Sequence, residues 1–179
     1  IAALTEPKIH EAAAGLRSET GAEVVSFPFD ARDPASTEAW RDGTIAAFGG
    51  IDGLVVNAGG PPPGRFDDFD DDDWQAAFEL TLLSSVRMIR SVLPSMRDAG
   101  QGSILTITSS SIKEPIDILL LSNVMRSGVV SLAKSLSQQL AAEHIRVNNL
   151  VPGSIDTDRL RSNITVQSNA AGISFDERW

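Results

Sequence analysis

The chain has 179 residues, of which 42% are hydrophobic and 22% are charged, and its formal net charge is −9. This length suits a single domain over residues 1–179, and the acidic balance argues against a nucleic-acid partner, because phosphate binding requires clustered Lys and Arg. The sequence contains no cysteine and no apolar run of about 18 residues, which excludes disulfides, thiolate metal sites and a predicted membrane span. We therefore expect a cytoplasmic protein without a metal site.

In the first third of the sequence, apolar runs alternate with turn-forming residues. Helices are predicted at residues 6–21 and 33–50, since each has an apolar face and a glycine stop, and the second begins at Asp33-Pro34. Short apolar runs at residues 22–30 and 51–60 predict strands.

The alternation continues in the remaining sequence. Residues 66–100 open with an acidic stretch and predict a long helix, and residues 117–143 predict a second one. Strands are predicted at residues 102–110 and 145–153. The polar tail at residues 154–179 is predicted to be irregular, with at most one short helix.

Strict alternation of strands and helices predicts an α/β fold with a doubly wound parallel sheet. Its crossovers are right-handed and its two faces are covered by helices. Ligands bind such sheets beyond the carboxyl ends of the strands. The residues at those positions are Asp30, Asn57 to Gly60, Ser109 to Ser111, and Pro152 to Thr157.

Four features occur in a fixed order: Asn57-Ala58-Gly59 after one strand, a serine run after another, a long helix, and Pro152-Gly153 after the last strand. Over residues 6–160 this order resembles the short-chain dehydrogenase/reductase family, and particularly the bacterial 3-oxoacyl-acyl-carrier-protein reductases. The resemblance implies a Rossmann-type fold and NAD(P)-dependent oxidoreduction of a small-molecule carbonyl or alcohol, with 3-oxoacyl compounds as one substrate class.

The same resemblance implies a set of cofactor-binding residues. Asp30 is implied to hydrogen-bond the adenine, with helix capping as its alternative role. The turn beside the adenine ribose and the segment that holds the nicotinamide amide are also implied, with a plain turn and a plain loop as alternatives. The residues in those two segments are Asn57, Ala58, Gly59, Pro152, Gly153, Ile155 and Thr157. The choice between NAD and NADP stays open.

Members of this family use Asn, Ser, Tyr and Lys for catalysis. Ser109 matches the serine, but Ser122 stands at the tyrosine position, Arg126 at the lysine position and Thr81 at the asparagine position; the chain has no tyrosine. A phenol with a pKa of about 10 can be tuned toward neutrality, whereas a serine hydroxyl is a far weaker acid. Arg126 is permanently cationic, so it can hold ribose hydroxyls of the cofactor but cannot transfer a proton.

These replacements leave two functional hypotheses open. One is an oxidoreductase with an atypical site, in which Lys113 is a candidate replacement acid. The other is a catalytically inactive family member that binds a ligand or supports an assembly. The family's first strand with its glycine-rich loop, and its last strand, are not recognised in the sequence.

A homodimer or homotetramer is also expected. The resemblance implies contacts through the two long helices at residues 70–96 and 122–143. Four apolar residues of the second helix are expected to leave surplus apolar surface for this contact. They are Val129, Leu132, Leu136 and Leu140.

Overall fold

The computed structural model describes residues 1–178, and within them strands and helices alternate as predicted. The strands are β1 (Ala2–Ala3), β2 (Phe27–Pro28), β3 (Gly53–Val56), β4 (Gly102–Ile107) and β5 (Ile145–Leu150). The helices are α1 (Glu6–Thr20), α2 (Pro34–Phe48), α3 (Asp71–Ala77), α4 (Ser84–Asp98), α5 (Leu120–Gln139), α6 (Asp158–Ala171) and α7 (Phe175–Arg178).

All strand pairs are parallel, which confirms the predicted α/β class. Strands β3, β4 and β5 form one sheet with β4 in the centre, and β1 pairs with β2 in a second sheet. The described strands therefore fall into two parallel sheets. A cleft lies between the two sheets, and residues of both β1 and β3 line it.

The main core lies on one face of the three-stranded sheet. Leu54, Ile104 and Val147 occupy neighbouring positions on that face and pack against Val92 of α4 and Ala133 of α5. Because side chains alternate along a strand, the intervening residues point to the opposite face.

That opposite face carries exposed apolar side chains in the described residues. Val55 is 60% exposed and Leu150 is 49% exposed. The expectation that helices cover both faces of the sheet is therefore wrong here.

The first predicted strand, at residues 22–30, is much shorter in the structure. Only Phe27–Pro28 pairs, because its partner strand β1 offers two residues. The preceding residues make other bonds: the Val24 carbonyl accepts from Arg17, and the Val25 carbonyl accepts from the Ile1 amino group.

The long helix predicted at residues 66–100 is interrupted. Asp70 caps α3 by accepting from the backbone N–H groups of Asp72 and Asp73, which places the acidic stretch at a helix N-terminus as expected. Between α3 and α4 the helix widens into a π-helical segment, Phe78–Leu83. Such widened turns are frequently found at functional sites.

The prediction of an irregular tail is wrong. Helix α6 runs for 14 residues, from a cap at Thr157 to Gly172, whose φ of 67° is left-handed. Ile164 and Ser168, four residues apart, are buried. One apolar and one polar residue make a weak periodic signal, which explains why the sequence predicted no more than a short helix here.

The four apolar residues that were expected to form a subunit contact, three in α5 and Leu140 directly after it, serve the chain's own core instead. Val129 and Leu140 are each 3% exposed, and Leu132 and Leu136 pack against the core of the larger sheet. The prediction that these residues leave surplus apolar surface is therefore wrong. None of the described helices combines the length and apolar character needed to cross a membrane.

Candidate active site

The carboxyl ends of β4 and β5 lie side by side. The pairing continues past both strands, because Thr108 N–H donates to the Leu150 carbonyl at 2.9 Å and Ser110 N–H donates to the Pro152 carbonyl at 3.2 Å. Two segments predicted to carry function, the serine run and the Pro152-Gly153 segment, therefore meet at one edge of the sheet.

Ser109 lies in extended backbone immediately after β4 and caps a short 3₁₀ turn, Ser110–Ile112. Its Oγ accepts a hydrogen bond from the Ser111 N–H at 3.2 Å. A hydroxyl has one proton and two lone pairs, so this bond leaves the Ser109 proton available for donation. Ser109 can thus donate to a carbonyl oxygen placed beyond the strand.

Ser122 and Arg126 lie one turn apart on α5 and are hydrogen-bonded to each other. Arg126 Nε donates to Ser122 Oγ at 3.2 Å, and Arg126 Nη1 donates to the carbonyls of Ile107 at 3.2 Å and Thr108 at 3.4 Å. Ser122 is only 6% exposed. The guanidinium therefore ties α5 to the end of β4, one residue before Ser109.

Thr81 lies in the π-helical segment and is 3% exposed. Its Oγ1 has no hydrogen-bond partner among the described residues. Gly128 of α5 approaches this segment so closely that an added Cβ would lie 2.9 Å from Leu82 Cδ2. The segment therefore packs directly on the helix that carries Ser122 and Arg126, and Thr81 supplies it with an unpaired buried hydroxyl.

Asp30 forms a bidentate ion pair with Arg32. Arg32 Nε donates to Asp30 Oδ1 at 3.0 Å and Arg32 Nη2 donates to Oδ2 at 2.8 Å. These hydrogen bonds, with a further one from the Arg32 backbone, lower the pKa of the Asp30 carboxyl below its ordinary value. The alternative role of Asp30 as a helix cap is wrong, because Asp33 caps α2.

Asp30, Arg32 and the turn from Asn57 to Gly59 line the cleft between the two sheets, whose volume is about 790 Å³. A Cβ placed on Gly59 would meet no atom within 4 Å, so the backbone of this turn is open to the cleft. The adenine-side residues implied by the resemblance are thus brought together, at a different place from Ser109 and Arg126.

Other predicted residues lie apart or have structural roles. Thr157 caps α6 by accepting from the Leu160 N–H at 3.2 Å, and Ile155 is 61% exposed. Lys113 is exposed and lines a separate cavity beside Ser110.

Sequence reasoning missed one polar group next to this site. Asn149 of β5 bridges Thr106 of β4 and Thr108, just beyond that strand, through its side-chain amide. A weak signal existed, because Asn149 continues the buried alternation of Ile145 and Val147 with a polar residue.

Known proteins similar to this chain are dehydrogenases and reductases. The sequence profile described as short chain dehydrogenase matches residues 1–167. The chain is 34% identical over 148 residues to the 7alpha-hydroxysteroid dehydrogenase of Escherichia coli. The matched region is 82% of this chain and 57% of that enzyme. The chain spans about three fifths of the length of the curated relatives that it matches.

Two solved structures show the same fold. An actinorhodin polyketide ketoreductase with NADPH gives a TM-score of 0.92 at 29% identity, covering 98% of the chain and 68% of the ketoreductase. The L-sorbose reductase of Gluconobacter frateurii, complexed with NADPH and L-sorbose, gives a TM-score of 0.89 at 28% identity, covering 98% of the chain and 67% of the reductase.

Two buried threonines near the site are expected to respond oppositely to replacement by the near-isosteric valine. Thr81→Val removes an unpaired hydroxyl and should leave the free energy of unfolding unchanged or raise it by up to about 1 kcal/mol. Thr106→Val breaks a 2.7 Å bond to Asn149 and should lower it by about 1–3 kcal/mol. Urea unfolding of both variants measures the difference. Equal destabilisation by the two substitutions would contradict this assignment.

Proposed function

The chain belongs to the short chain dehydrogenase family, and we propose that it is an NAD(P)-dependent oxidoreductase that interconverts a carbonyl and an alcohol. The observation that carries this proposal is the arrangement at the end of β4. There Ser109 lies one residue beyond the Thr108 carbonyl that binds Arg126, and Arg126 in turn binds Ser122. The relatives and structural neighbours of the chain include enzymes named for carbonyl or alcohol chemistry.

The residues at the cleft fit the adenosine part of a nicotinamide dinucleotide. Asp30 offers an ionised acceptor for an adenine amino group, and the turn from Asn57 to Gly59 exposes backbone to the cleft. Arg126, Pro152 and the residues that follow would hold the nicotinamide end. When bound, the nicotinamide supplies or accepts the hydride.

The residues of the chain have distinct tasks in this proposal. Ser109 donates a hydrogen bond to the substrate oxygen, and Arg126 lends positive charge where an alkoxide develops. The Ser122 oxygen accepts from Arg126, so its proton is directed away and can order a water that protonates the product. Thr81, whose hydroxyl has no partner within the described residues, is proposed to bind a water of the same relay once cofactor and substrate are in place.

We expect the protein to bind a nicotinamide dinucleotide, and calorimetric titration with NAD, NADH, NADP and NADPH tests this. Asp30→Asn and Arg126→Ala should each weaken binding about tenfold, because hydrogen bonds to charged groups contribute about 1.5–3 kcal/mol. Asp98→Asn, at the exposed end of α4, is the matched control and should bind like the parent. If none of the four nucleotides shows saturable binding, the proposal is wrong.

Turnover should depend more on Ser109 and Arg126 than on Ser122. Loss of an oxyanion donor typically costs about a hundredfold or more in rate. Ser109→Ala and Arg126→Ala should therefore abolish measurable turnover, whereas Ser122→Ala should only reduce it. Ser122→Tyr combined with Arg126→Lys should raise activity. Steady-state hydride transfer over a broad panel of carbonyl substrates, including 3-oxoacyl compounds, measures these effects.

Two results would contradict this assignment in different ways. If Ser122→Ala alone eliminates the activity of an active enzyme, the roles given to the serines are wrong. If the parent binds cofactor normally but reduces no substrate of the panel, the protein is a catalytically inactive ligand-binding or assembly member of the family.

Association through the long helices also belongs to this proposal. Val129 and Leu140 are buried within the chain and do not support a subunit contact. The support for association is therefore the family resemblance alone. Light scattering at micromolar concentration should give at least twice the mass of one chain. A monomeric mass would overturn it.

A further inference from the structure

Asn149 is a partly buried polar residue on the core-facing side of β5, where the two preceding residues of that side are apolar. On β5 it follows Ile145, which is 1% exposed, and Val147, which is 8% exposed, on the core-facing side of the strand. A valine at position 149 would continue the row of apolar side chains on this side of β5 without placing polar atoms next to the core. The presence of a carboxamide here therefore calls for a role beyond packing.

The carboxamide of Asn149 bridges two residues of the neighbouring strand. Its Oδ1 accepts from Thr106 Oγ1 at 2.7 Å, and its Nδ2 donates to Thr108 Oγ1 at 3.0 Å. Thr106 is fully buried and Thr108 is 5% exposed, so these bonds form where an unpaired group is costly. Because the Thr108 hydroxyl gives its proton to the Leu150 carbonyl, it can only accept from Asn149, which fixes the orientation of the carboxamide.

The bridge ends at the residue that holds Arg126. Thr108 Oγ1 lies 3.3 Å from the Leu150 carbonyl, to which it donates, so both its side chain and its backbone N–H are bound to β5. The Thr108 carbonyl then accepts from Arg126 Nη1 at 3.4 Å. Asn149 is thus connected to the guanidinium through one residue.

We propose that Asn149 is a positioning residue for Arg126. By fixing Thr108, it holds the end of β4 so that the Thr108 and Ile107 carbonyls receive the guanidinium in one place. Arg126 is then directed toward the cofactor and substrate instead of sampling several rotamers. This inference rests on the proposed function, in which Arg126 contacts the cofactor.

A double-mutant cycle on cofactor affinity tests the inference. Calorimetry gives the dissociation constant of the tightest-binding nucleotide for the full chain, for Asn149→Leu, for Arg126→Ala and for the double variant. Asn149→Leu should weaken binding about threefold to tenfold when Arg126 is present and have no further effect when it is absent, because residues in one network couple. Turnover should fall at least as much, since small misplacements of a reacting group are costly.

Companion variants keep the test valid if Asn149→Leu does not fold. Thr108→Val keeps the shape of Thr108 but removes the acceptor of the Asn149 amide, and it should act in the same direction. Thr165→Val removes an exposed hydroxyl bond to the Arg161 carbonyl on α6 and should leave affinity and turnover unchanged.

The outcomes separate the two proposals. If Arg126→Ala binds cofactor like the parent, the placement of Arg126 in the proposed function fails and this inference fails with it. If Arg126→Ala weakens binding but Asn149→Leu does not, only this inference is overturned. Equal weakening by Asn149→Leu in both backgrounds also overturns it, because a purely structural role would act without Arg126.

Discussion

The site depends on the contact between the Arg126 guanidinium and the carbonyls of Ile107, the last residue of β4, and Thr108, which follows it. A strand that ends in a sheet leaves carbonyl groups without ladder partners, and such groups need donors when they are shielded from water. Arg126 supplies these donors from the adjacent helix and uses a third to bind Ser122. One side chain therefore fixes both the position of α5 relative to the sheet and the direction of the Ser122 hydroxyl.

Parallel topology explains why the other groups collect around this contact. The carboxyl ends of β4 and β5 meet at the same edge, so residues more than forty positions apart in the chain, such as Ser110 and Pro152, become hydrogen-bonded. The π-helical segment brings Thr81 to the same helix that carries Arg126. These groups are far apart in the sequence, but the position of each is set by the strand or helix that carries it.

The order and type of the elements were predictable because their signals are local. Asp33-Pro34 and Asp70 marked helix starts, and the apolar runs marked β3, β4 and β5. The length of β2 depends on its partner strand, and the burial of the apolar residues of α5 depends on the sheet that they pack against. Both partners are distant in the sequence, so the periodicity of these segments could not predict either feature. For the site, the positions of Ser109 and Arg126 followed from motif spacing. The bridge of Asn149 was not predictable, since it exists only when two strands are in register.

The pairing of Ser122 with Arg126 defines what chemistry this arrangement can perform. A phenol beside a lysine forms a pair in which both members exchange protons, and their charges change during a reaction. A guanidinium keeps its proton throughout the accessible pH range, and a serine hydroxyl does not ionise beside it at neutral pH. The site therefore offers a fixed positive charge and oriented hydroxyls, which favour the negative charge that develops on a carbonyl oxygen. In the proposed function, proton transfer then passes through water, and the ordering of that water by the buried hydroxyls would limit the rate.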